Sequence, residues 1–117
     1  MIENFGIGID ISSIEKFRNK SFYENEIFYR KIFSEQEIQY CLKFKNYYEK
    51  FAGKFALKEA LIKSINQEIE LLKIETTHLN SKPTVKINND SQNFRFLASL
   101  SHENGFAVAV VISEVIN

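Results

Sequence analysis

Glu59 stands in the stretch Lys54-Phe55-Ala56-Leu57-Lys58-Glu59-Ala60-Leu61-Ile62-Lys63, whose residue types strongly favour a helix. Each helical position advances roughly 100°, so Phe51, Ile62, Phe55, Glu59, Ala52, Lys63 and Ala56 fall in that order within an arc of roughly 140°. The arc is predicted to be buried, with Glu59 near its middle between bulky Phe55 and the small Ala52 and Ala56. A carboxylate there calls for a metal ion, a cationic partner or a bound proton. A salt bridge to Lys63, one turn on, is the simple structural alternative.

A second acid answers it near the N-terminus. Phe5-Gly6-Ile7-Gly8-Ile9-Asp10-Ile11 alternates with the period of a strand, so Phe5, Ile7, Ile9 and Ile11 share one face while Gly6, Gly8 and Asp10 share the other. Glycine inside a strand usually marks a turn, a bulge or a group approaching the backbone closely. Ala52 and Ala56 are small enough to permit such an approach from the helix. The pattern predicts that Asp10 and Glu59 converge, and two hard oxygen ligands beside a phosphate suit the way proteins hold magnesium.

The elements that must position these acids follow from caps and periodicity. Ser12 with Glu15 reads as a capping box, so the first strand should run into a helix through Ile14 and Phe17. Ser34 with Glu37 opens a second helix carrying Ile38, Cys41 and Leu42, and the longest helix runs from about Tyr47 to Ile65. Residues 22–33 are aromatic-rich and read as short helical turns. Beyond residue 66 the pattern becomes mostly β. Asn80-Ser81-Lys82-Pro83 signals a turn before a strand at Thr84–Ile87, and Phe94–Ser101 forms a further strand. Asn104-Gly105 is a type I′ hairpin signal, after which the apolar run Phe106–Ile112 suits a central strand. The expected fold class is α+β, with helices packed on one face of a largely antiparallel sheet.

Composition bounds the partners. The 117 residues are expected to form a single domain, 1–117, with eleven phenylalanines and five tyrosines to supply a core without tryptophan. One cysteine, Cys41, excludes an intramolecular disulfide and an all-cysteine zinc site within one chain, which suits a cytoplasmic location. Met1-Ile2-Glu3-Asn4 has no basic region or long apolar run, and no segment approaches the length of a membrane span, so a soluble protein is expected. A formal net charge of zero argues against general nucleic-acid binding. Charge is uneven, however. Lys16, Arg18, Lys20, Arg30 and Lys31 face only Glu24 and Glu26 over residues 16–31, a local excess that suits an acidic partner or simply a solvated face.

With these residues in view, the chain resembles the holo-acyl-carrier-protein synthases, the small group of 4′-phosphopantetheinyl transferases. Three blocks carry the resemblance: Gly6-Ile7-Gly8-Ile9-Asp10-Ile11 with Ile14, then Phe51-Ala52-Gly53-Lys54-Phe55-Ala56-Leu57-Lys58-Glu59-Ala60 with Lys63, and Ser99-Leu100-Ser101-His102. The resemblance implies transfer of the phosphopantetheine arm of coenzyme A to a serine of apo acyl carrier protein, leaving adenosine 3′,5′-bisphosphate. It implies Mg2+ held by Asp10 and Glu59, with Lys63 beside the pyrophosphate completing the catalytic group. Lys54, Lys58, Lys63, Ser101 and His102 would contact coenzyme A, and Lys16, Arg18 and Lys20 would face the carrier protein. A homotrimer with shared active sites is also implied.

Three departures from the family pattern bear on substrate fit. Lys54 takes a place usually held by arginine, keeping the charge but losing the bidentate fork. Ser64-Ile65-Asn66-Gln67-Glu68-Ile69-Glu70 has no glycine where the family often has a glycine-rich loop, and Ser81-Lys82-Pro83 replaces the usual Gly-Lys-Pro turn. The alternative from another class is a module that binds coenzyme A or a carrier protein without catalysing transfer.

Overall fold

The computed structural model describes residues 3–116. Strand β1 (Phe5–Ser13) leads into the short helix α1 (Ile14–Arg18), followed by a 3-10 turn (Phe22–Glu24), α2 (Glu26–Arg30), α3 (Glu35–Leu42) and α4 (Tyr47–Ile65). A 3-10 turn at Leu71–Lys73 precedes β2 (Ile74–Leu79), β3 (Lys82–Ile87), β4 (Phe94–Glu103) and β5 (Phe106–Val115). The α+β class is borne out, but the strands divide into two sheets. One is three-stranded and antiparallel in the order β1-β5-β4, and the other is the β2-β3 hairpin. Strand β5 is central, as its continuous apolar run predicted.

Local chemistry explains the boundaries. Asn80 and Ser81 both have positive φ, as do Asn104 and Gly105, so both hairpins turn through the two-residue geometry that matches strand twist. Helix α4 ends at Asn66, whose left-handed φ of 53° lets its N–H bond the Ile62 carbonyl. The Ser34–Glu37 capping box forms as expected, with Ser34 N–H donating to Glu37 Oε1 at 2.9 Å and Glu37 N–H to Ser34 Oγ at 3.2 Å. The first cap is shifted by one residue. Ser13 caps α1, because β1 keeps pairing with β5 through Ser13 opposite Phe106. Ser12 instead points inward.

The faces of the three-stranded sheet divide by residue size. Gly8, Val111 and Ala98 form one inner row and Asp10, Ala109 and Leu100 the next, and α4 packs over β1 and β5 on this side. The rows Ile7-Ile112-Leu97, Ile9-Val110-Ser99 and Ile11-Val108-Ser101 form the outer face. Ile7 is 69% exposed, Ile11 63% and Leu97 70%. The larger apolar side chains of β1 therefore do not build the core of this chain. That core joins α4 and the aromatic segment before α3 to the inner residues Ala107, Ala109 and Val111 of β5, and within it Phe51 lies 4.7 Å from the Tyr29 ring and 4.9 Å from that of Phe33. Tyr29 is fully buried, yet its hydroxyl is satisfied by donating to the Lys20 carbonyl at 2.7 Å. Truncating such a ring to alanine costs about 3–5 kcal/mol.

Candidate active site

The two strand glycines exist because α4 touches the backbone of β1. A β-carbon added to Gly6 would sit 1.8 Å from the Ser64 carbonyl oxygen, and one on Gly8 would sit 2.0 Å from that of Ala60. The close approach was expected, but the partners are Ala60 and Ser64 rather than Ala52 and Ala56. These contacts also fix the register. Two strand residues rise about 6.6 Å and four helix residues about 6 Å, so Gly6 at Ser64 and Gly8 at Ala60 place Asp10 level with the turn that begins at Ala56. Strand and helix run antiparallel, and the strand delivers Asp10 to the stretch of α4 that carries Glu59.

Asp10 is held from two sides. Ser12 Oγ donates to its Oδ2 at 2.7 Å, and Lys63 Nζ lies 3.2 Å from Oδ1 while also donating to the Ile9 carbonyl at 3.1 Å. Side chains on a helix tilt towards its N-terminus, which explains how Lys63 reaches back to Asp10. The Asp10 side chain is 13% exposed and that of Lys63 53%, so the pair sits at the rim of the helix–strand seam. Glu59 precedes Lys63 by one turn on the same flank. It is half-buried, not central to the buried surface as the periodicity predicted. The buried surface of α4 extends further round the helix, over Gly53, Lys54, Leu57, Lys58, Leu61 and Ser64.

That extension corrects the expectation that Lys54 and Lys58 contact coenzyme A. Both are fully buried on another side of the helix. Lys58 Nζ donates to Glu37 Oε1 at 2.7 Å, to the Ile32 carbonyl at 2.6 Å and to the Leu71 carbonyl at 3.0 Å, which uses all its protons. Lys54 Nζ donates to Thr76 O and Oγ1 at 3.0 and 3.1 Å and lies 4.6 Å over the Tyr40 ring. Burial lowers both ammonium pKa values, opposed by nearby Glu37. Glu37 completes the network through Oε2, which accepts from Thr76 N–H at 2.8 Å and Thr76 Oγ1 at 2.7 Å. Sequence reasoning missed Glu37 and Thr76 as partners. The available signal was a pair of lysines at helical i, i+4 spacing on a flank otherwise lined by Phe51, Leu57 and Leu61.

The remaining candidates are dispersed. His102 Nε2 lies 3.2 Å from the Glu49 carbonyl oxygen and 3.2 Å from where a β-carbon on Gly53 would sit. It therefore packs on the N-terminal half of α4, two strands and roughly 10 Å from β1. Ser101 shares the outer face with Val108 and Ile11. Neither joins Asp10 and Lys63 within one chain, because β4 lies on the far side of β5 and Ser101 points away from α4. Lys16, Arg18 and Lys20 are exposed around α1. Lys16 Nζ lies 4.9 Å over the Phe55 ring, one helical turn before Glu59, while Arg18 pairs with Glu15 at 2.8 Å.

Two surface hollows, of about 460 and 630 Å³, lie elsewhere: one at residues 67–73 and 87–94, the other between β3 and β4. Neither is lined by Asp10, Glu59 or Lys63. The cluster itself is an acid–cation pair at an open seam. Such a group can hold a hard cation or an anionic phosphate at the protein surface.

Comparison with known proteins gives this arrangement a family. The pattern of the 4′-phosphopantetheinyl transferase superfamily matches residues 6–111. The holo-[acyl-carrier-protein] synthase of Thermodesulfovibrio yellowstonii is 38% identical over 117 residues, covering 96% of this chain and 98% of that one. That of Mycoplasma capricolum is 38% identical over 119 residues, covering 100% and 99%. Among solved structures, the Helicobacter pylori holo-[acyl-carrier-protein] synthase in complex with coenzyme A superposes with a TM-score of 0.80 at 32% identity, covering 92% of this chain and 99% of that one. The Bacillus anthracis enzyme in complex with CoA (3′,5′-ADP) gives 0.81 at 30% identity, covering 95% and 96%. The chain belongs to the 4′-phosphopantetheinyl transferase superfamily, among its holo-acyl-carrier-protein synthases.

Proposed function

We propose that this chain moves the 4′-phosphopantetheine arm of coenzyme A onto a serine of apo acyl carrier protein in a magnesium-dependent reaction that releases adenosine 3′,5′-bisphosphate. The observation that carries the reading is the seating of Asp10 against α4 by Gly6 and Gly8, with Lys63 at 3.2 Å. In the transfer, the serine oxygen bonds to the phosphorus that bears the pantetheine, and the bond from that phosphorus to the bridging pyrophosphate oxygen breaks. The serine gives up its proton and the nucleotide leaves with the bridging oxygen.

Phosphoryl transfer asks the protein chiefly to position reactants and offset charge. The donor set fits magnesium: Asp10 and Glu59 offer carboxylate oxygens, and Ser12 holds Asp10 in one orientation through Oδ2. Among the described residues no group of three or more His, Cys, Asp or Glu gathers to hold a metal alone. The remaining positions would fall to pyrophosphate oxygens and water. Bound magnesium would offset the charge of the pyrophosphate, and Lys63 adds a second cation on the same side. The serine nucleophile comes from the carrier protein.

The carrier protein is read as docking on the exposed Lys16, Arg18 and Lys20 around α1, of which Lys16 lies over the Phe55 ring beside the site. A homotrimer would cover the outer face, where Ile7, Ile9 and Leu97 stand exposed, and would let a neighbour's Ser101 and His102 approach the coenzyme. No helix among the described residues is long and apolar enough to cross a membrane, which accords with work in the cytoplasm. The test is chromatography of the nucleotides after incubation with coenzyme A, magnesium and apo carrier protein. Adenosine 3′,5′-bisphosphate should appear in step with modified carrier. Bound coenzyme A that is never cleaved would make the chain a binding module.

A further inference from the structure

We infer that Glu37, acting through Lys58, is a positioning residue for Glu59 and Lys63. The inference rests on the transferase reading and concerns residues outside the seam. Lys58 immediately precedes Glu59, roughly 100° round the same helix. Its ammonium is tied to three separate segments: the Ile32 carbonyl after α2, Glu37 at the start of α3, and the Leu71 carbonyl beyond α4. One turn earlier, Lys54 is tied to Thr76 on β2. Glu37 joins the two ties, since its Oε1 accepts from Lys58 and from Ser34 N–H while its Oε2 accepts twice from Thr76.

Two anchors one turn apart on a single flank fix the rotation of α4 about its own axis. A carboxylate about 6 Å from that axis moves about 1 Å for every 10° of rotation, and a misplacement of about 1 Å can cost a hundredfold in rate. The opposite flank meets β1 through backbone contact at Gly6 and Gly8 and β5 through Ser113 Oγ, which donates to the Ser64 carbonyl at 3.0 Å, and these contacts set the spacing of helix and sheet. The buried network therefore sets the angle at which Glu59 and Lys63 meet Asp10. Glu37 thus supports the site from behind, as outer partners of metal ligands commonly do.

The test is Glu37→Asp, which keeps the charge but draws the carboxylate back by one methylene. Glu37→Gln leaves a buried lysine uncompensated and risks unfolding, so Thr76→Val serves as the second variant. Three readouts are taken at a temperature where circular dichroism shows all proteins folded: kcat, KM for coenzyme A, and the magnesium concentration at half-maximal thermal stabilisation of the coenzyme complex. Glu37→Asp should lower kcat about 10–100-fold and raise that magnesium concentration about 10-fold, with KM within about 3-fold. Thr76→Val should shift the same two quantities in the same direction by less. A lowered Tm with kcat and magnesium response unchanged in both variants would make the network purely structural and overturn the inference. Failure of the unaltered protein to transfer would instead overturn the transferase reading, and the two failures are separate.

Discussion

The carbonyl oxygen of Ala60 lies 2.0 Å from where a β-carbon on Gly8 would be. Real contacts of that kind do not fall below about 3 Å, so Gly8→Ala must push β1 from α4 by about 1 Å. Asp10 is two residues further along the strand and moves with it. Transfer should fall at least about 100-fold, and overpacking should lower stability by about 1–3 kcal/mol. Urea titration and steady-state rates check both. Gly105→Ala is the control: nothing lies within 4 Å, so its positive φ alone should cost about 1 kcal/mol with activity retained.

Glu59→Gln should abolish magnesium-dependent transfer while leaving the circular dichroism spectrum intact, since Glu59 is only half-buried. Full activity in that variant would rule out Glu59 as a ligand of the proposed magnesium.

Lys63→Ala separates charge from architecture. Its side chain is 53% exposed, so losing the Asp10 pair should change stability by less than about 1 kcal/mol. The transfer rate should nonetheless drop about 100-fold, the range for removing one preorganised charge partner. Rates at saturating coenzyme A would show it.

The start of α3 and the β4–β5 hairpin were legible because they depend on local chemistry: the Ser34–Glu37 cap and the Asn104-Gly105 turn. The glycine face of β1 also announced a close neighbour. What periodicity could not show was which polar side chains the core would take in. Lys54 and Lys58 look solvated or phosphate-facing by type, and only the folding of α3 and β2 against α4 supplies their acceptors. Their burial moved Glu59 from the centre of the predicted arc to its edge. Likewise the alternation of Ile7, Ile9 and Ile11 marks an apolar face, but not whether this chain or a neighbour covers it.

His78 gives the fold a pH dependence apart from the site. Burial, with nearby Lys54 and Lys50 adding to it, lowers its pKa from 6.5 to about 4. The unfolded chain therefore binds this proton first as pH falls, and stability present above 6.5 is lost progressively down to about 4. His78 stacks on Tyr40 at 5.1 Å with rings 3° apart, so His78→Phe preserves the contact without titrating. Its Tm should fall less steeply between pH 6.5 and 4 than that of the unaltered protein, and parallel curves would refute the assignment.

The outer face offers the test of assembly. Ile9 is 55% exposed, level with Val110 and Ser99 across the sheet. Ile9→Glu should leave the monomer fold unchanged, since no core contact is lost, but should sediment as a monomer where the proposed trimer predicts three chains for the unaltered protein, and should reduce transfer with it.

The intact mass of an apo acyl carrier protein reads the proposed transfer without an intermediate assay. Incubation with this protein and coenzyme A should add one phosphopantetheine arm when magnesium is present and none when a chelator replaces it. An unchanged carrier mass in magnesium, with coenzyme A demonstrably bound, would make the chain a binding module and not a transferase.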